Sequence, residues 1–298
     1  MKRILILTVF SILPLFAFMQ STVDADKIIA QINKGEDVFY ENVTITGDLD
    51  FRLVADKEEE VDPEVYSKDN VTYKYHVNSS LKFVNCLFKG EINGYWYDER
   101  EDELHIAFFH EDVHFENCTF MDDFLVKYSK FYKKASFPGN KFEEDALFKY
   151  SKFSSELDFS NSTFDEEANF KYAKFPGHTN FSNSKFNDIA NFKYAKFKEK
   201  VQFVKCEFND LAYFKYTKLS DFIDFTDSKF NSDAIFKYVE FTDGVSFENV
   251  VFDDFADFKY AQFSDPFDIN NVAFNGTTSF KYAKVEGKEF IPYLLERE

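Results

Sequence analysis

The tripeptide Phe-Lys-Tyr begins at Phe148, Phe170, Phe192, Phe214, Phe236, Phe258 and Phe280, 22 residues apart each time. An eighth copy carries Val126 in the Phe place, and a ninth, degraded copy begins at Leu104. A repeat this regular restricts the fold to one in which residues 22 apart occupy equivalent places, and its period falls in the range of solenoids. Within each repeat the bulky positions advance by 5, 6, 5 and 6: Phe148, Phe153, Phe159, Phe164, Phe170. Neither a helix, with 3.6 residues per turn, nor a strand, with a period of 2, produces that advance. A coil with four sides does, each side sending one large residue inward.

A second inward position lies two residues before each large one, because residues two apart on an extended segment point the same way. Small or modest residues fill it: Ala168, Ala173, Thr179, Ser184, Ala190, Ala195, Val201, Cys206, Ala212. Coils stacked at the strand spacing of about 4.8 Å would pile Phe over Phe in four interior columns. The pattern small, any, Phe or Leu, any, any resembles that of the pentapeptide-repeat family over roughly residues 36–285, most clearly where Ala-Asn-Phe-Lys-Tyr-Ala-Lys-Phe at 168–175 recurs at 190–197. The resemblance implies an all-β fold, a right-handed quadrilateral β-helix, here of about ten coils. Two sides per coil carry six residues instead of the family's five, and looser corners are expected there. A leucine-rich repeat also allows 22 residues but needs a Leu-x-x-Leu-x-Leu run, which the sequence lacks.

Residues 26–34 read as a short helix, capped by Asp24 or Asp26, with Ile28, Ile29 and Ile32 on one face and Gly35 as the stop. It would cover the first coil, as terminal repeats of solenoids require. The tail from Glu286 to Glu298 leaves the pattern and would cover the other end or pair with a second copy, giving a homodimer through a coil end. Phe51 to Phe83 and Phe83 to Phe115 each take 32 residues, ten more than a coil, so inserts are expected within 54–76 and 90–103. Val71, Tyr73, Tyr75 and Val77 alternate like a strand. Tyr95, Trp96 and Tyr97 make the second insert a candidate binding lobe, since loops on a rigid scaffold commonly carry function. A packed side-lobe using these aromatics as a small core is the competing reading.

Outward positions form ladders. Lys149, Lys171, Lys193 and Lys215, with Lys127, Lys237, Lys259 and Lys281, fall in one column; Tyr150, Tyr172, Tyr194 and Tyr216, with Tyr128, Tyr238, Tyr260 and Tyr282, fall in the next. A third column holds Lys130, Lys152, Lys174, Lys196, Lys218 and Lys284, broken by Glu240 and Gln262. This basic stripe stands out because the chain carries 53 acids against 35 bases, a net charge of −18. It reads as a track for an anionic polysaccharide or another acidic partner, with the tyrosines offering ring faces, or as a solvated face that discourages aggregation.

An acidic row, including Glu144, Asp145, Glu166, Glu167 and Asp188, lacks the fixed ligand loop of a Ca²⁺ site. His105, His110 and His114 make a loose metal-like cluster that reads better as a surface coincidence, so no metal and no cofactor is expected. Cys86 and Cys118 fall at the small inward position of successive coils, compatible with a disulfide or with two buried thiols. No Ser-His-Asp group or phosphate-binding glycine loop is visible.

Lys2 and Arg3 followed by an apolar run from Ile4 to about Met19 read as a secretory signal peptide, with cleavage between 19 and 26, and no later run is long enough to span a membrane. No cysteine follows the run, so a lipid anchor is not indicated, and a secreted or periplasmic product is expected. Acidic members of the resembled family mimic DNA and protect gyrase, a cytoplasmic partner that the signal peptide argues against; no nucleic-acid partner is expected. Residues 26–298 then form a single domain. The reading is an exported, non-catalytic scaffold or binding protein that engages an unknown protein or an anionic polysaccharide through the insert lobe or the Lys/Tyr face. The alternative is a carbohydrate-active enzyme drawing carboxylates from Glu99, Glu101, Asp102 and Glu103.

Overall fold

The computed structural model describes residues 21–61 and 71–290. They form a parallel β-solenoid whose coils have four faces, named here in chain order from the large residues Phe148 (first), Phe153 (second), Phe159 (third) and Phe164 (fourth). The first and third faces are each ten-stranded, which counts the expected ten coils. Most strands are two residues long and pair with the strand 22 residues on, as Ala168 does with Ala190 and Phe164 with Phe186. Backbone groups are satisfied between coils: Phe170 N–H donates to Asn191 O at 2.8 Å, and Phe192 N–H to Tyr213 O at 2.7 Å.

The size of Phe explains the bore. On the first face Phe148, Phe170, Phe192 and Phe214 stack with centroids 5.0–5.1 Å apart and planes within 9°. Their edges meet third-face rings, Phe170 against Phe181 at 5.3 Å and 78°. Both arrangements suit the ring quadrupole, at about 0.5–1.5 kcal/mol per pair beyond burial. Small polar residues are tolerated inside because their hydroxyls reach main-chain carbonyls: Ser162 donates to Phe137 O, Ser184 to Phe159 O and Thr217 to Phe192 O, at 2.7–2.9 Å.

The tight turns fall in the five-residue steps, from the first to the second face and from the third to the fourth: each has one residue in the left-handed region, and many close by an i to i+3 bond such as Ala195 N–H to Phe192 O at 3.0 Å. The six-residue steps from Phe164 to Phe170 and from Phe186 to Phe192 carry no left-handed residue. Between the third and fourth faces the left-handed residue is usually Asn, as at Asn161, Asn183 and Asn249, with φ of 57–60°. Between the first and second faces it is Tyr in every copy from Tyr128 to Tyr282, with φ of 60–63°. This is a type II geometry, in which position i+2 normally takes Gly or Asn.

The start is closed by a helix, Ala25–Ile32, capped by the Asp24 carboxylate accepting from Asp26 N–H, with Ile28, Ile29 and Ile32 buried. A strand absent from the sequence reading, Ser21–Asp24, pairs in parallel with Val43–Thr46 and adds to the cover. At the other end Lys288–Glu289 folds back on Lys284–Val285, and Phe290 stacks on Phe280 at 3.8 Å. Phe274 is still 40% exposed in the last coil. Residues 291–298, the rest of the tail, lie outside the described residues, as do 1–20, with the signal-peptide reading, and 62–70 of the first insert.

Three register assignments are corrected. Tyr40 pairs with Phe83, an offset of 43, so the first insert adds 21 residues to a coil and not ten. Leu104 is not a coil position: Leu125 pairs with Asn93, which places Gly94 opposite Val126, and Leu104 lies out in the lobe opposite Thr72. The spacing misled because the second insert adds ten residues just after Gly94. A Cβ at Gly94 would sit 3.1 Å from Leu125 O and 3.2 Å from Val126 Cγ1, so the chain leaves the coil at a tightly packed point that favours glycine. Finally, large and small exchange places in the coil below: Phe124 fills the bore and stacks on Phe148 at 5.3 Å, while Val126 takes the other inward position. The insert also leaves Ser129 Oγ buried without a partner. The carbonyl that the coil offset would offer it, Gly94 O, already accepts from Ala107 N–H.

Candidate binding surface

The corner between the first and second faces brings the lysine and tyrosine columns together. Rings from Tyr128 to Tyr282 stack face to face at 4.7–4.9 Å. Up to Tyr260 successive planes stay within 9°, so the column runs nearly straight. The expectation that the tyrosines offer ring faces is therefore corrected: the faces are used on one another, and the corner presents ring edges and hydroxyls. Among the described residues no hydrogen bond within the chain engages the hydroxyls of Tyr150, Tyr172, Tyr194 or Tyr216.

From Lys149 on, each lysine of the first column lies over the ring that follows it. Lys149, Lys171, Lys193 and Lys215 hold Nζ 5.1–5.8 Å from the centroids of Tyr150, Tyr172, Tyr194 and Tyr216. A cation over a ring face is attracted by about 0.5–1 kcal/mol at an exposed site. Among the described residues none of the fourteen lysines in the two corner columns forms an ion pair. Fourth-face lysines behave differently: Lys141 reaches Asp165, Lys185 reaches Glu207 and Lys229 reaches Asp253, at 2.8–3.4 Å. The corner's uncompensated charge shows in Lys149, whose pKa is pushed down by burial and then by Lys171 and Lys127. Lys152 and Lys193 shift the same way for the same reasons.

The inserts pair with each other as expected of neighbours. Lys57–Val61 folds against Val71–Val77, Tyr95–Asp98 folds against Glu103–Phe109, and Val71–Val77 runs in register with Glu103–Phe109. The three lobe aromatics go three ways. Tyr95 stacks over Tyr128 at 6.0 Å under Lys127 Nζ, 4.0 Å from its centroid, and so extends the ladder by one rung. Trp96 is 43% exposed and takes the Arg52 guanidinium over its ring at 4.6 Å. Tyr97, 45% exposed, donates to Asp102 Oδ1 at 2.5 Å. The lobe thus does not bury Trp96 and Tyr97 as a small core, and its ladder edge is continuous with the Lys/Tyr corner. Two surfaces read separately in the sequence are one. The ninth rung was hidden because the inserts break the count of 22.

Other sequence candidates separate. His105 Nδ1 meets Tyr75 Oη at 2.8 Å, His110 Nε2 meets His76 Nδ1 at 2.8 Å, and His114 pairs with Glu116, so the three histidines do not converge. Glu99 and Glu101 are exposed at the hairpin tip, while Glu103 lies beside His105 at 3.5 Å. In the acidic row, Glu91, Asp122 and Asp123 come within 4.8 Å of one another. Burial first, and then the neighbouring carboxylates, push Glu91 and Asp123 above the usual carboxylate range.

Cys86 and Cys118 are adjacent buried thiols, not joined. The hydrogen bond between them pulls Cys86 down to about 7 and pushes Cys118 up.

The family model described as Pentapeptide repeats (9 copies) matches residues 127–174, 148–196, 170–218, 192–240 and 236–284, together more than half of the chain. Neither the curated proteins nor the solved structures yield a match. With four-sided coils, inward phenylalanines and that match in agreement, the chain belongs to the pentapeptide repeat family.

Proposed function

We propose that this protein is an exported, non-catalytic scaffold that holds an extended anionic partner along the Lys/Tyr corner. The observation that carries the reading is the contrast in lysine pairing. An acidic chain with carboxylates to spare pairs its fourth-face lysines and leaves the corner lysines unpaired. A surface of one sign on an otherwise oppositely charged molecule favours capture of complementary polymers. Carbohydrate-active chemistry on the second insert gains no support, because Asp102 is engaged by Tyr97 and Glu99 and Glu101 stand in solvent at a turn.

Export rests on the leading basic and apolar segment. Ser21–Asp24 is part of the cap and Ala25 is buried, which favours removal of a leader before Ser21 over a cut later in the window between 19 and 26.

The test replaces Lys149, Lys171, Lys193 and Lys215 together with Gln and compares retention on a polyanion column with that of a chain lacking 98–102. Loss of retention in the first alone supports the corner. Unchanged retention in the lysine variant removes the corner from contention.

A further inference from the structure

The spacing of the ladder identifies the kind of polymer. We infer that the corner is a ruler for a linear acidic polysaccharide with one carboxylate per sugar, seated one sugar per coil; the inference rests on the anion-holding reading above. Each rung from Tyr150 to Tyr216 offers the same two groups, a lysine ammonium and a phenol hydroxyl without a partner within the chain. The rungs recur every 4.7–4.9 Å along a nearly straight line. Nucleic-acid strands stacked as in a duplex space their phosphates about 3.4 Å apart, and an extended single strand, with six backbone bonds per nucleotide, spaces them about 6–7 Å, so in either form phosphates and rungs fall out of step within two or three coils. An extended peptide places side chains of one face about 6.7 Å apart, overshooting by a similar amount. A 1,4-linked pyranose in an extended chain advances by the width of its ring plus one bridging oxygen, about 5 Å from bonds near 1.5 Å. That advance stays in step with the coils over several sugars.

The functional groups agree with the spacing. Successive carboxylates of an extended β-1,4 chain fall on alternate edges, and the two lysine columns, one before and one after the tyrosine in each repeat, can meet both edges while ring hydroxyls exchange hydrogen bonds with the phenols. The tyrosines, stacked on one another, cannot open to receive bases between their faces. The footprint is uneven. Five successive coils carry both corner lysines: Lys127 with Lys130, Lys149 with Lys152, Lys171 with Lys174, Lys193 with Lys196, and Lys215 with Lys218. The next two keep Lys237 and Lys259 but replace the second lysine by Glu240 and Gln262. Five sugars therefore make the strongest contacts.

The experiment titrates the mature chain with β-1,4-linked uronic acid oligomers of two to ten sugars, and with polyphosphate and single-stranded oligonucleotides of matched charge. Each added sugar through the fifth should tighten binding about two- to fivefold, as expected for one exposed ion pair. Gains beyond the fifth should be smaller, and the uronates should bind more tightly than the denser polyanions at equal charge. Equal binding of all polyanions, or no change of slope near five sugars, overturns the ruler while leaving an anion-holding corner. Failure of every polyanion to bind overturns both.

Discussion

A tyrosine in the left-handed region is strained, and Tyr194 allows that strain to be measured. Its φ is +60°. For an L-residue with a Cβ the left-handed conformation costs roughly 1–2 kcal/mol, and glycine escapes it. Its ring stacks on Tyr172 at 4.7 Å and on Tyr216 at 4.9 Å, worth about 0.5–1.5 kcal/mol each. Lys193 above it adds about 0.5–1 kcal/mol. Y194A loses the stacking and keeps the strain; Y194G loses the stacking and sheds the strain. The structure therefore predicts Y194A to be less stable than wild type by about 1.5–4 kcal/mol. Y194G should be more stable than Y194A by roughly 1 kcal/mol, the reverse of the usual order of Ala and Gly in regular structure. Global unfolding of a solenoid need not be two-state, so a local readout is preferable. Hydrogen exchange at the Ala195 amide, which closes the turn onto Phe192 O, should quicken most in Y194A and less in Y194G. An alanine variant as protected as the glycine variant, or more so, would refute the left-handed corner.

Other outcomes follow from the same packing and charge. F170A should lose about 3–5 kcal/mol in denaturant unfolding. F274A should lose much less, because Phe274 is 40% exposed; equal losses would mean that the last coil is as closed as the middle. Glu91 and Asp123 bind protons more tightly folded than unfolded, so the molecule loses stability as pH rises through their raised values. E91Q and D123N should therefore raise Tm at pH 7 and leave it nearly unchanged near pH 4; a Tm gain equal at both pH values would show that repulsion is not the cause. Cys86 and Cys118 immediately precede the paired strands Leu87–Phe88 and Thr119–Phe120, whose spacing of about 4.8 Å is inside the range a disulfide spans. Excess glutathione disulfide should join them with loss of two hydrogens and release of glutathione, and a peptide map without that cross-link would contradict the pairing. A polyanion on the corner should raise the depressed pKa of Lys149, Lys152 and Lys193, so binding near pH 10 should take up protons; proton-neutral binding would place the ligand elsewhere.

The interior was legible in the sequence because ring size and period act together. A large residue every 5 or 6 positions has only a four-sided bore to occupy, and Phe148 to Phe263 fall where the count places them. The corners were not legible because nothing about Tyr announces a left-handed φ. The Asn corner carries the usual signal at Asn161 and Asn183, but the Tyr corner carries its cost silently and offsets it by stacking across coils. The lobe failed for a different reason. A period identifies positions only while the count is unbroken, and with 21 and ten residues added the nearest apolar match, Leu104, displaced the true position at Gly94. Size exchange between Phe124 and Val126 hid the error, since both still read as apolar.

Two unfavourable features fall on the same corner, and the chain shows that neither is forced by the fold. Left-handed turns are made with Asn at the opposite corner, where the strain is small. Outward lysines are paired with carboxylates on the fourth face, where their charge is compensated. Repetition by duplication would copy a corner once chosen, but it would equally have copied Asn and a carboxylate partner. Departures from local preference that persist while a cheaper solution exists in the same molecule are expected at functional sites more than elsewhere. Stacking explains how the tyrosine column is tolerated, since each ring supports the next. It does not explain why ammonium groups line that column unpaired, and the anionic ligand proposed for the rungs would supply the missing countercharge.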